Sequence, residues 1–350
     1  VFTKIITGTI VTDAGNSHGA SWGDYDNDGF LDLFVNRFFG SADLLYHNNG
    51  NGTFTKITSG PVVNNAGYGT GSSWGDYDND GNLDLFVCNS SADAGFNQYN
   101  FLYHNNGNGT FTQVTTGTFS TDFSNARGAA WGDYDNDGDL DLHVANEDHS
   151  DDFLYQNDGN SNHWINIKCY GIVSNKSAIG TKISVKANIN GAAVWQMNFI
   201  TAQSGYSGEN SLNVEFGFAD AAIIDSMIVR WPSGLVCYYT NVATDQFIKI
   251  YENCAFTGVE SVNNSVNDLN IYPNPNSGTF TVSFNNKSNS HFVIELYDEL
   301  SQKVYSLIEI NYGAFRKTFT ADELNLSNGL YFIRLTAGDL VQSKKILILK

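Results

Sequence analysis

One fifteen-residue block occurs three times and limits what this chain can fold into. It reads SWGDYDNDGFLDLFV at 21–35, SWGDYDNDGNLDLFV at 73–87 and AWGDYDNDGDLDLHV at 130–144. Its centre is Asp-x-Asp-x-Asp-Gly-x-x-Asp. The carboxylates are Asp24, Asp26, Asp28 and Asp32, then Asp76, Asp78, Asp80 and Asp84, then Asp133, Asp135, Asp137 and Asp141. Carboxylates at alternate positions, followed by a glycine, let a short loop curl around one hard cation. Ca²⁺ takes roughly 6–8 oxygens at about 2.3–2.6 Å and tolerates irregular geometry. Gly29, Gly81 and Gly138 allow the sharp turn, and the next carbonyl (Phe30, Asn82 or Asp139) is expected to point inward as a further ligand. Clustered carboxylates with no basic residue in the loop repel one another unless a cation intervenes. Mg²⁺ fits less well because it demands near-octahedral geometry and keeps its waters. No Cys or His within the loops offers the donors zinc prefers. Three Ca²⁺ sites are the expectation.

The EF-hand is the first rival, but it needs a Glu at loop position twelve and helices on both sides. That position holds Val35, Val87 or Val144, and the flanks LDLFV and LDLHV have strand composition. An acidic solvated turn without an ion would explain one copy. Three copies with all four Asp retained argue for calcium.

The repeat extends beyond the loop. FTKI at 2–5 and 54–57 and FTQV at 111–114 each begin 20 residues before Trp22, Trp74 and Trp131. LYHNNGNGTF at 45–54 recurs at 102–111, and LYQNDGNSNHW at 154–164 is a decayed copy. The Trp-to-Trp spacings are 52 and 57, with the extra residues placed in the loop CNSSADAGFNQYN. Each unit offers four short strand-like pieces with Asn-Gly turns, the pattern of propeller blades. Three blades fall below the usual 4–8. The N-terminal FTKI could close a ring by completing the last blade, or the array could be truncated or incomplete. His47 and His104 are equivalent but the third copy has Gln156, and His143 stands where Phe34 and Phe86 stand, so no His keeps one role as a general base. The three tryptophans precede the loop identically, which favours packing over ligand stacking. With only Arg37 and Arg127 in the array, there is no arginine cluster of the sialidase kind.

These residues resemble the FG-GAP/VCBS calcium-binding propeller repeats, related to the integrin α-subunit propeller. The resemblance implies that the twelve Asp and the carbonyls after the glycines are the ligands, and that the array serves adhesion or recognition. A few extracellular lyases carry such propellers, so the fold alone does not decide the function.

Between 163 and 254 the acidic loops stop. NHWINIKCYG, IGTKISVKANING, NSLNVEFGF, DSMIVRWPSG and QFIKIYENC alternate apolar and polar residues, the period of strands. His163-Trp164-Ile165-Asn166, Ser174-Asn175-Lys176, Ile179-Gly180, Gly205-Tyr206, Phe216-Gly217 and Trp231-Pro232-Ser233-Gly234 resemble the ASPIC/UnbV domain of cartilage-acidic-protein-like proteins, which implies association more than catalysis. Ser204, His163 and Asp225 could be drawn into a triad, but no Gly-x-Ser-x-Gly elbow accompanies them. Residues 255–266 read as a linker. In 267–350, Tyr272-Pro273-Asn274-Pro275, Gly329-Leu330-Tyr331-Phe332 and the terminal Lys344-Lys345-Ile346-Leu347-Ile348-Leu349-Lys350 resemble the C-terminal sorting domain of type IX secretion cargo, on an Ig-like sandwich. The resemblance implies recognition by the outer-membrane export machinery of a Gram-negative bacterium.

Composition agrees with a turn-rich β protein: 350 residues, 34 Gly, 16% charged and 14% aromatic. A net charge of −19 makes nucleic acid an unsuitable partner, and three Ca²⁺ would reduce it to about −13. No apolar run reaches the ~18 residues of a membrane span. A chain opening on Val1 with no signal peptide reads as a processed or trimmed product. For Cys88, Cys169, Cys237 and Cys254, a Cys237–Cys254 bridge and four small buried hydrophobes both stay open.

The expected protein is therefore all-β: propeller-type blades at 1–162, a second β domain at 163–254, a linker and a C-terminal sandwich. Its expected role is that of a secreted or surface calcium-binding protein, non-catalytic, recognising a protein or glycan ligand on the propeller. A lyase-like carbohydrate-active enzyme and a self-associating subunit of a surface assembly are the alternatives.

Overall fold

The computed structural model describes residues 2–90, 98–123, 125–147, 150–259, 266–286, 291–298, 302–310, 313–337 and 340–350. Most of the CNSSADAGFNQYN insertion, at 91–97, and residues 260–265 of the expected linker lie outside them. The architecture is almost entirely β, as the alternating patterns require. The chain divides into two compact units, Val1–Ser261 and Val262–Lys350.

In the first unit each acidic loop joins two antiparallel strands in one fixed register. Trp22 faces Leu33 and Gly23 faces Asp32; Trp74 faces Leu85 and Gly75 faces Asp84; Trp131 faces Leu142 and Gly132 faces Asp141. The first sheet runs Ser17–Gly23, Asp32–Arg37, Leu44–Asn48, Phe54–Lys56 in spatial order. The second repeats this with Gly69–Gly75, Asp84–Asn89, Phe101–Asn105 and Phe111–Val114. The third has Ala126–Gly132, Asp141–Asn146 and Phe153–Tyr155. These are propeller-type blades. The N-terminal FTKI does not add a fourth strand to the third blade: residues 2–7 form no strand, and Phe2 and Ile5 are exposed. No closed ring is seen among the described residues, so the array is an open or partial propeller.

The blades stack through the motif's own residues. The Trp74 indole lies over Gly23 of the first blade and Trp131 over Gly75 of the second, so closely that a Cβ on either glycine would meet a ring atom at 2.8 Å. Tyr25 stacks on Trp74 with ring centroids 6.4 Å apart. Trp74 and Trp131 are 6% and 4% exposed, and Trp22, which has no blade in front of it, is 53% exposed. The expected packing role therefore describes two of the three tryptophans. A one-turn helix or 3₁₀ turn follows Gly8, Gly60 and Gly117 in successive repeats, where φ of 98–103° favours glycine. The strand-based reading missed these turns because a single turn has no hydrophobic period.

The same unit contains two more sheets around one core that includes Ile165, Ile183, Val185, Phe218, Met227 and Ile248. One runs Val214–Ala219, His163–Tyr170, Gln246–Tyr251, Phe256–Val259; the other runs Ala192–Phe199, Lys182–Ile189, Ile223–Arg230, Val236–Ala243. Cys237 and Cys254 form a disulfide, whereas Cys88 and Cys169 are free and buried.

The second unit is a two-sheet sandwich. Val266–Tyr272, Thr279–Asn286 and Gly313–Thr320 form one sheet; Lys303–Ile310, His291–Asp298, Gly329–Ala337 and Leu340–Ile348 form the other. Phe284, Phe292 and Phe315 meet in its core at ring distances of 4.8–4.9 Å. The Pro273 and Pro275 peptide bonds are both cis.

Candidate metal centres

Each loop is pre-shaped by its own carboxylates. Asp24 accepts the backbone N–H of Asp28 and of Gly29, both at 3.0 Å. Asp76 accepts those of Asp80 and Gly81 at 3.0 and 2.9 Å, and Asp133 those of Asp137 and Gly138 at 3.1 Å. The fifth loop position turns the chain back: Phe30, Asn82 and Asp139 donate N–H to Asp28, Asp80 and Asp137 at 2.9–3.0 Å. The last Asp ties the loop to the sheet. Asp32 accepts from Tyr25 N at 3.2 Å and Asn48 N at 2.7 Å, Asp84 from Tyr77 N and Asn105 N, and Asp141 from Tyr134 N and Asn157 N. Asn27, Asn79 and Asn136 hold positive φ of 56–61°, a conformation Asn tolerates well.

The loops are also chained to one another. Asn27 donates to the Gly81 carbonyl of the second loop at 2.9 Å, and Asn79 to the Gly138 carbonyl of the third at 3.2 Å. Asn105 and Asn157 reach back to the Tyr25 and Tyr77 carbonyls, each at 2.7 Å.

The first, second and last Asp of every loop converge: Asp24, Asp26 and Asp32; Asp76, Asp78 and Asp84; Asp133, Asp135 and Asp141 present oxygens within 4.8 Å of one another. Asp28 and Asp80 also join such groups, with a histidine. Among the described residues the Asp137 carboxylate is in none of these groups. With only protein around them the carboxyls are held toward the protonated form. Burial pushes Asp24 up to about 6 and Asp32 to about 7; it pushes Asp84 to about 7 and Asp133 to about 6. Burial raises Asp76 as well, with Asp84, Asp80 and Asp78 adding like-charge repulsion. A divalent cation supplies the charge that lets such groups ionise. Asp78 Oδ1 is buried without a hydrogen-bond partner, as a metal-directed oxygen would be.

Sequence reading missed two side chains at these sites. His47 and His104 come from the neighbouring strand and point Nδ1 into the first and second loops, 3.0 Å from Asp26 and 3.2 Å from Asp78. The loops therefore do have nitrogen donors, contrary to expectation. The signal was the LYHNN repeat, which lies outside the acidic motif and meets it only once the sheet is built. In the third repeat Gln156 takes the place and donates to Asp135 at 2.7 Å. The triad residues do not assemble as drawn: His163 Nδ1 pairs with Asp245 at 2.6 Å, and Ser204 Oγ accepts the Asn210 N–H at 2.9 Å.

The blades and the following β sheets enclose a cavity of about 460 Å³ lined by Trp22, Trp74, Trp131, Met197, Phe199 and Glu215. Asn210 clasps its rim: it accepts from Ser73 Oγ and Trp131 N and donates to the Trp74 carbonyl, at 2.7–3.0 Å. Gly217 N donates to Asp76 at 3.1 Å, so the sheets touch the second acidic loop directly. Trp74 Nε1 is buried without a partner.

Fold and loops together define an all-β protein with repeated acidic cation-type loops on blade hairpins. Family comparisons give the particulars. Residues 37–87 and 90–144 match the FG-GAP-like repeat, 171–255 match ASPIC and UnbV, and 270–349 match the secretion system C-terminal sorting domain. The chain thus carries FG-GAP-like repeats, an ASPIC/UnbV domain and a type IX sorting domain, in that order. No curated protein matches. Solved structures that align include PorZ, a surface component of the type-IX secretion system of Porphyromonas gingivalis, at 8% identity and TM-score 0.20, covering 91% of this chain and 50% of that one. A tetra-tandem repeat from a large adhesion protein aligns at 10% identity and TM-score 0.21 over 97% and 93% of the two chains. Latent PorU of P. gingivalis aligns at 10% and 0.22 over 96% and 34%. This chain spans about half the length of the PorZ chain. Such low scores carry no argument. The sorting domain itself places the protein outside the cell or on the outer-membrane surface and implies contact with the type IX machinery. No described helix is long and apolar enough to cross a membrane.

Proposed function

We propose that this secreted surface protein is a calcium-stabilised recognition module without catalytic activity of its own. The modules are read as blade repeats at 1–162, an ASPIC/UnbV-like domain at 163–254, a linker at 255–266 of which Phe256–Val259 in fact adds a strand to the preceding sheet, and a sorting domain at 267–350. Ca²⁺ would be held by the four Asp of each loop, with the carbonyls of Phe30, Asn82 and Asp139 completing the shell. The ion supplies positive charge and fixes the loop; it needs no chemical step. The observation that carries this reading is the threefold convergence of mutually repelling carboxylates, the last of each group buried, on one hairpin geometry. Since Asn27 and Asn79 link each loop to the next, ordering one loop orders its neighbour. The cavity beneath the tryptophans, beside Asp24 and Asp76, is the proposed place for a ligand, and its affinity should then follow calcium.

The test is elemental analysis with thermal melting in Ca²⁺ and in EDTA. About three Ca²⁺ per chain and a melt lowered by EDTA are expected. A chain with no bound calcium and an EDTA-insensitive melt refutes the reading. A second reading, a subunit of a surface assembly, is favoured by one observation: the stacking face of the first blade is open, with Trp22 exposed. Light scattering with and without calcium separates it from a monomer.

A further inference from the structure

We propose that residues 2–5 of one copy of this chain form the missing outer strand of the third blade of a second copy, so that copies join head to tail by strand addition. This rests on the surface-assembly reading and names its partner, another copy of the same chain.

The complete blades show what the third one lacks. The first and second have four strands and end on Phe54–Lys56 and Phe111–Val114; the third, among the described residues, stops at Phe153–Tyr155. Its outer edge keeps backbone N–H and C=O groups that the other two blades pair, and such an edge accepts an added strand. Phe2-Thr3-Lys4-Ile5 repeats Phe54-Thr55-Lys56-Ile57 residue for residue, yet residues 2–5 form no strand and are exposed. One outer-strand segment is thus unpaired, and one blade lacks an outer strand. The complete blades also give the register. Lys56 faces Tyr46, Gln113 faces Tyr103 and Val114 faces Leu102. By the same pairing Lys4 would face Tyr155 and Ile5 would face Leu154.

One polar position makes the fit specific. In the first blade Asp13 accepts from Tyr46 Oη at 2.7 Å and pairs with Lys56 Nζ at 2.8 Å. In the second, Asn65 stands for Asp13 and Gln113 for Lys56. Asn65 Nδ2 donates to Gln113 Oε1 at 2.9 Å and to Tyr103 Oη at 3.1 Å. Charge goes with charge, and amide with amide. The third blade has Asp122, which accepts from Tyr155 Oη at 3.0 Å. The position facing Tyr155 therefore calls for a lysine, and the unpaired segment supplies Lys4 rather than a glutamine. The strand must come from another copy. Ile5 precedes Gly8 by the interval that separates Ile57 from Gly60 and Val114 from Gly117, a link that carries the chain across one blade junction. The second blade stands between the first and the third, with Trp74 on Gly23 and Trp131 on Gly75. In the open array the link is too short for a chain's own segment to reach its third blade. The contact is heterologous, joining two different surfaces.

The experiment is sedimentation velocity of the full chain, in Ca²⁺, over a concentration series. Copies should associate. Lys4→Glu sets a carboxylate against Asp122 and should weaken association at least about tenfold. Ile5→Pro removes the N–H equivalent to that of Ile57, which donates to the Leu45 carbonyl at 2.9 Å, and should abolish association. Both positions are exposed in the single copy, so the dilute variants should keep the wild-type melt. Asp122→Lys should also fail to associate alone. A mixture of Asp122→Lys with Lys4→Glu should associate again, since each copy then meets its opposite charge. Association unchanged by Lys4→Glu and Ile5→Pro overturns the strand assignment and leaves the assembly reading standing. A chain that stays monomeric at every concentration defeats the assembly reading and this proposal together. A monomer whose melt falls with Ile5→Pro also overturns the proposal, because the segment would then be paired within its own chain.

Discussion

Alanine at Trp22, Trp74 and Trp131, one at a time, should give three unequal outcomes although the local motif is the same. Trp74 and Trp131 are 6% and 4% exposed and each lies on a glycine of the preceding blade. Removing a buried indole leaves a cavity as well as losing transfer free energy, together about 3–5 kcal/mol. Trp22 is 53% exposed, and roughly half that apolar burial gives about 1–2 kcal/mol. For a unit of this size, 1 kcal/mol moves Tm by about 2–4 °C. The Trp74 and Trp131 variants should therefore melt about 10 °C lower and the Trp22 variant only about 3–5 °C lower. The glycines test the same contact from the other side. A methyl at Gly23 or Gly75 would meet the indole at 2.8 Å, whereas at Gly132 the nearest atom is Ser211 Cβ at 3.6 Å. Gly23→Ala and Gly75→Ala should cost about 1–3 kcal/mol by overpacking, and Gly132→Ala should be tolerated. The assay is thermal melting of the calcium-loaded full chain, followed by near-ultraviolet circular dichroism. Three equal tryptophan effects, or a Gly132→Ala variant as damaged as Gly23→Ala, would refute the blade-stacking account.

The calcium-free protein should lose stability as pH rises between about 4 and 7. Burial raises Asp24 to about 6 and Asp32 and Asp84 to about 7, so the folded chain holds protons that the unfolded chain has released. Calcium must displace those protons, so its affinity should fall with falling pH through the same window; an EDTA-treated melt that rises between pH 5 and 7 would contradict this. Reducing the Cys237–Cys254 bridge, which closes a loop across a separation of 17, should cost about 3 kcal/mol by loop entropy, read as a lower denaturation midpoint under reductant. Asn79→Ala should lower calcium affinity at the second site and also at the third, whose Gly138 carbonyl it holds; Asn136→Ala, on an exposed loop, should affect only its own site. Isothermal titration would separate them. A chain lacking 270–349 should remain inside the cell envelope, and its appearance in the medium at the normal level would argue against the sorting role.

Much of this protein was determined by sequence alone. Asp-x-Asp-x-Asp-Gly-x-x-Asp is a contiguous device: spacing sets which carboxylates converge, and the three loops do converge through their first, second and last Asp. Strand alternation is equally local, so blades, sheets and the C-terminal sandwich followed from period and turn residues. What needed the tertiary structure were relations between segments far apart in the chain. His47 and His104 reach the loops only because Leu44–Asn48 and Phe101–Asn105 lie beside the loop-bearing strands. The motif spacing assigns no role to Asn27 and Asn79, whose carbonyl partners are 54 and 59 residues away. Trp22 and Trp74 share one sequence context and differ in burial because only one has a blade in front of it. Pairing of Cys237 with Cys254 likewise depended on the turn after Gln246–Tyr251 meeting the Val236–Ala243 strand of the other sheet. Local spacing encodes which atoms a loop offers; which long-range neighbour completes a site, buries a ring or takes a hydrogen bond is decided by sheet pairing and blade order, where no local pattern reaches.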